Sequence, residues 1–245
     1  GDDQQPSFTD ERWAAFMTLA TKVTSVVCES KFSEDFIILF GKRRNSLGPL
    51  EDRPFQRVWK LTVVLGETDW WTVFLIRDFV ALYSYRLCNR GTGNQRSKYT
   101  DFFSLLWEVV GKTPTITDLE MDLPTFDYIP SLTSISKLRS LSCRCLDISY
   151  AWWMGLSWCK QLKELRLEET SSAGDIEESW IGDAVTFPAL RILLLDAREE
   201  ISTVIILNSR FSALEHLSFG GRCLSADGME RARIHLNESS PHLRV

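Results

Sequence analysis

The chain has 245 residues, 44% of them hydrophobic and 25% charged, with a formal net charge of −5. That balance excludes a disordered chain, and the acidic excess argues against a phosphate-tracking nucleic-acid binder. No apolar run approaches the length of a membrane helix, and six cysteines are too few for a disulfide scaffold.

In chain order, residues 1–8 read as a polar N-terminal segment and 9–245 as one domain. No signal peptide is expected. Thr9 or Asp10 can cap a helix to about Thr21, with Trp13, Phe16 and Ala20 on one face. Ser33 can cap a helix over Glu34–Arg44, and Trp70–Phe79 reads as helical. The polar stretch Asn89–Lys98 reads as a loop. Tyr99–Val110 is a helix closed by Gly111 and Pro114, followed by shorter helices at Tyr150–Trp158 and Ser179–Val185. Ile201–Asn208 fits either helix or strand, and Ser225 begins a last helix to about Asn237.

Between these segments the template L-x-x-L-x-L recurs. The clearest copies start at Leu162, Leu190 and Leu214, and looser ones at Val23, Val58, Ile116 and Leu138. The weakest is Phe79-x-x-Leu82-x-Ser84. Starts at 23, 58, 79, 116, 138, 162, 190 and 214 give spacings of 35, 21, 37, 22, 24, 28 and 24. Five of these fall in the window of about 20–29 residues that leucine-rich repeats use. The expected fold is therefore α/β: an irregular leucine-rich-repeat solenoid, an open arc with parallel strands on its concave face and helices on its convex face.

Glu11-Arg12-Trp13-Ala14-Ala15-Phe16, followed by Thr21-Lys22-Val23-Thr24-Ser25-Val26, resembles the opening of the repeat region in fungal F-box/leucine-rich-repeat proteins. Gln161–Leu167, Phe187–Leu193 and Ser240–Val245 look like the same family, the last as the start of one further repeat. The resemblance implies a ubiquitin-ligase substrate receptor, whose repeats hold a protein substrate while an F-box docks the ligase adaptor. No F-box precedes Glu11, so adaptor binding falls on no residue here, and the domain is expected to be cut at both ends. The family's asparagine three residues after the last template leucine is also missing, replaced for example by Thr170 and Arg198. Turns are then expected to satisfy their backbone locally.

The x positions of each strand face solvent, because residues i, i+2 and i+4 share a face. This places Tyr83 and Tyr85, then Asp118, Glu120 and Asp122, then Arg144, Glu164 and Arg166, then Ile192 and Leu194, on the expected partner-binding surface. Tyrosines beside an acidic stripe suit a basic protein partner. Ile192 and Leu194 form an apolar pair on that face, which a covering or partner surface explains. Trp70-Trp71 and Trp152-Trp153 read as core packing.

Catalytic signals are weak. Gly111-Lys112-Thr113 resembles the end of a phosphate loop, but Leu106 stands where a glycine is needed and the triplet closes a helix. Gly91-Thr92-Gly93 lacks a third glycine. His216, His235 and His242 have no zinc-ligand spacing with cysteine, and no nucleophile elbow occurs. No enzyme activity, catalytic residue, cofactor or metal is expected, and no nucleic-acid or membrane partner. The cysteines read as reduced thiols of a cytoplasmic or nuclear protein. A repeat sensor or scaffold unrelated to ubiquitination is the alternative reading.

Overall fold

The computed structural model describes residues 10–28, 57–65, 82–89, 115–122, 136–145, 148, 150–169, 184–221 and 224–243. Its main element is an eight-stranded, all-parallel sheet. The strands are β1 (Ser25–Cys28), β2 (Lys60–Leu65), β3 (Ser84–Asn89), β4 (Asp118–Asp122), β5 (Ser140–Cys145), β6 (Glu164–Glu169), β8 (Ile192–Asp196) and β10 (His216–Phe219). They lie side by side in sequence order, as stacked repeats require. A short parallel pair, β7 (Val185–Thr186) and β9 (Ser209–Arg210), stands apart from this sheet. The fold is an α/β repeat solenoid.

The helices among the described residues are α1 (Asp10–Ala20), α2 (Tyr150–Leu156), α3 (Glu199–Leu207) and α4 (Ala226–Ser239). α1 carries Trp13 against Phe16, with ring centroids 5.4 Å apart, and buries Ala20. The stretch 201–208 is settled as helix, with Ile201, Ile205 and Ile206 on its buried side. Ser225 caps α4 by accepting the Gly228 N–H at 3.2 Å. Val185 lies in β7 rather than ending a helix. The helices expected over Glu34–Arg44, Trp70–Phe79 and Tyr99–Val110, and the loop Asn89–Lys98 beyond Asn89, lie outside the described residues.

The template explains the core. Its first leucine position holds Val58, Leu82, Ile116, Leu138, Leu162, Leu190 and Leu214, all buried. Its second holds Leu61, Tyr85, Leu119, Leu141, Leu165 and Leu193, equally buried. Each such side chain contributes roughly 1.5–3 kcal/mol on leaving water. α2 seals the middle of the sheet with Trp152 and Trp153. The Trp153 ring lies 4.6 Å from Phe187, which stacks on Phe211 at 5.8 Å. Those two phenylalanines stand just ahead of β8 and β10 and pin the turns that lead into them.

A backbone ladder fixes the repeats at the entry of each strand. The carbonyl of Trp59 accepts from the N–H groups of Tyr83 and Ser84, at 3.2 and 3.0 Å. The Tyr83 carbonyl accepts from Thr117 and Asp118, and the Thr117 carbonyl from Arg139 and Ser140. Arg139, Lys163 and Arg191 continue the pattern as far as His216. Backbone groups of successive repeats thus bond directly to one another at the strand entries.

Candidate functional site

One face of the sheet is used up by the core. The other carries the alternate residues of each strand in straight rows. Ser84, Asp118, Ser140, Glu164, Ile192 and His216 form one row, in register from β3 to β10. Arg86, Glu120, Ser142, Arg166, Leu194 and Ser218 form the next. Asp122, Arg144, Glu168 and Asp196 follow toward the strand exits.

Eight of the ten expected surface residues fall in these rows: Asp118, Glu120, Asp122, Arg144, Glu164, Arg166, Ile192 and Leu194. The tyrosines do not. Tyr85 is fully buried, paired in register with Leu61 and Leu119. Tyr83 precedes β3 and stacks on Trp59, ring centroids 5.2 Å apart and 13° from parallel. The repeat here starts at Leu82 rather than Phe79, so Leu82-x-x-Tyr85-x-Leu87 is the working template. A shift of three residues exchanges the two faces of a strand, because the side-chain period is two. The residue that β3 presents in place of Tyr85 is Arg86.

That exchange changes the electrostatics. Arg86 bonds Glu120 at 3.1 Å, and Arg144 bonds Glu168 at 3.0 Å, each pair bridging adjacent strands. Asp118 accepts the Thr117 hydroxyl at 2.7 Å. The acidic stripe is therefore partly neutralised. Both ion pairs are about half exposed, so each holds a side chain in place more than it stabilises the fold. Glu164 and Arg166 are exposed and form no ion pair among the described residues. Ile192 and Leu194 are half-buried within their rows.

Two shallow cavities open on this face. One, of about 230 Å³, is lined by Ser84, Asp118, Glu120, Ser142, Glu164 and Arg166. The other, of about 280 Å³, is lined by Arg166, Glu168, Leu194, Asp196, Ser218 and Gly220. Arg166 is the wall they share. The first is mainly polar and suits hydrogen-bonding or charged side chains, whereas the second mixes polar groups with Leu194 and Leu195.

Gly220 shapes the second cavity. A Cβ at this position would collide with the Asp196 side chain, including its own Cβ. Gly220→Ala is therefore expected to lower stability by about 1–3 kcal/mol, the usual cost of overpacking. Urea unfolding of the variant checks this, and an unchanged midpoint would show that Asp196 swings aside freely.

Away from this face, Cys159 and Glu199 are shifted by their surroundings. Burial pushes the Cys159 thiol up to about 12, well away from nucleophile chemistry. Hydrogen bonds from Ser225 hold the Glu199 carboxyl below its ordinary value, fastening α3 to the start of α4. Trp152 and Trp153 are core residues. No group of three or more metal-ligating side chains occurs among the described residues, and none of their helices is long and apolar enough to cross a membrane.

Sequence reasoning named Tyr83 but missed Arg86, Trp59 and the strand-entry residues from Thr117 onward. The signal for Arg86 was present: a start at Leu82 gives a spacing of 24 from Val58, matching two later repeats. No known protein family matches the chain, and no curated protein matches it either.

Proposed function

We propose that this chain is a protein-binding repeat domain, the substrate-recognition part of an F-box-type ubiquitin-ligase receptor. The observation that carries the binding half of this reading is the open sheet face. Parallel strands hold its side chains in fixed rows, and cross-strand ion pairs order Arg86 and Arg144 before any partner arrives. Such pre-organisation lowers the cost of docking. The ligase half rests on the resemblance of Glu11–Val26 and Phe187–Leu193 to fungal F-box repeat proteins. Binding works by shape and charge across the rows, with Ile192 and Leu194 as the apolar centre and the carboxylates and arginines as the rim.

Affinity capture of the full-length protein from its own cells, with mass spectrometry, tests both halves. A cullin and its adaptor are expected among the captured proteins. A substrate is expected that disappears with the double variant Glu164→Arg/Leu194→Asp. Capture of partners unaffected by that variant would move the binding surface elsewhere. Absence of cullin and adaptor would remove the ligase assignment.

A further inference from the structure

The strand-entry edge carries a second set of exposed side chains, one per repeat. In order they are Trp59, Tyr83, the half-buried Thr117, Arg139, Lys163, Arg191 and Glu215. The double-rung ladder locks their backbones together. At one end is the stacked Trp59–Tyr83 pair, with both rings about 40% exposed. Large aromatic surface left in water on a rigid edge is unusual unless something covers it.

From Arg139 to Arg191 the edge is cationic, in a chain whose net charge is −5. Arg139 and Lys163 are exposed and form no salt bridge among the described residues. Lys137 and Lys160, in the turns that lead into β5 and β6, add two more exposed cations. Arg191 is held by Glu215 in a two-pronged pair, Nε and Nη2 both at 2.8 Å. Arg139 and Lys163 are thus the unpaired charges at the strand-entry positions, with Asp118 and Glu164 one residue further into β4 and β6.

We propose that the strand-entry edge docks an extended acidic segment of the partner protein. An aromatic or aliphatic side chain of that segment seats on the Trp59–Tyr83 stack, and its carboxylates meet Arg139 and Lys163. This rests on the protein-binding reading above and gives the partner its chemistry. Strand spacing sets the register. Tyr83 and Arg139 are two strands apart, about 10 Å, which an extended peptide covers in about three residues. Lys163 lies one strand further, so the segment carries carboxylates about three and four residues after its apolar anchor. Cations in a row also raise the rate at which an acidic segment is caught.

The test uses a fluorescein-labelled synthetic peptide, Trp-Gly-Gly-Glu-Glu-Gly-Glu, titrated against the whole chain by fluorescence polarisation. Saturable binding is expected, with little binding of the matching peptide that has Gln for every Glu. Arg139→Glu/Lys163→Glu should weaken binding by about a hundredfold and Trp59→Ala by about tenfold, with circular dichroism unchanged. Binding should also fall sharply in about 1 M salt, where charges are screened beyond about 3 Å. Absence of saturable binding, or binding indifferent to the double variant, overturns the proposal. So does tighter binding of a labelled oligothymidine, which would make the edge a nucleic-acid site. If the captured cellular partner depends on Glu164 and Leu194 but not on Arg139 and Lys163, the protein-binding reading stands and this inference falls.

Discussion

Glu169→Ala is expected to destabilise the chain by about 3–5 kcal/mol, the largest effect of any single charge removal among the described ion pairs. Glu169 closes β6 with its carboxylate fully buried. Its Oε1 accepts from Arg198 Nε and Nη2 at 3.1 and 2.9 Å, and its Oε2 accepts the Arg198 backbone N–H at 2.9 Å. The guanidinium is itself only 15% exposed. Deleting the carboxylate takes a charged partner from a mostly buried guanidinium and removes an acceptor at the start of α3, where Arg198 has no side-chain cap of its own. Glu169→Gln keeps an acceptor without the charge and should fall between the two. Urea unfolding followed by circular dichroism reads both variants. A loss below about 1 kcal/mol would mean that the pair behaves like a solvated surface bridge.

Trp153→Ala should cost a similar amount, about 3–5 kcal/mol, for a different reason. The indole fills the space between α2 and the two phenylalanines that pin the entries of β8 and β10. Its Nε1–H donates to Ser209 Oγ at 2.9 Å inside the core. The same serine offers its backbone carbonyl to His235 of α4 at 2.7 Å. Truncation leaves a cavity and an unpartnered hydroxyl at once. Trp153→Phe retains most of the packing and loses the hydrogen bond, so a drop nearer 1 kcal/mol is expected. Thermal unfolding of the two variants separates the terms. Equal losses would place the whole effect in the hydrogen bond.

The solenoid was readable because its signal is periodic and repeated. Leu162 and Leu190 each open a strand whose alternate residues are buried, Leu214 opens one whose Leu217 and Phe219 are half-buried, and the three strands stay in register. β3 was misread because a tyrosine fills an inward site that other repeats give to leucine. An aromatic with a hydroxyl fits either face by composition, and only the neighbouring strands decide which. Phe79 and Ser84 made a weak copy look adequate, whereas Leu82 and Leu87 made a better one three residues later. Cross-strand pairing was out of reach altogether. Arg86 and Glu120 are 34 positions apart in sequence, and Arg198 and Glu169 are 29 apart. Nothing local marks either pair. The strand-entry edge escaped notice for a related reason: one residue per repeat looks like ordinary surface until the repeats are aligned.

The strand-entry ladder also says how the array must come apart. Each carbonyl in it takes both of its donors from the following repeat and none from its own. The unit of cohesion is then the junction between repeats, not the repeat, and coupling runs only to the nearest neighbour. Unfolding should enter from an end and advance as a front, opening one junction before loading the next. The amides of Arg139 and Ser140, mid-array, lie furthest from both fronts. They should be among the last of the ladder to exchange with solvent, whatever happens at the ends.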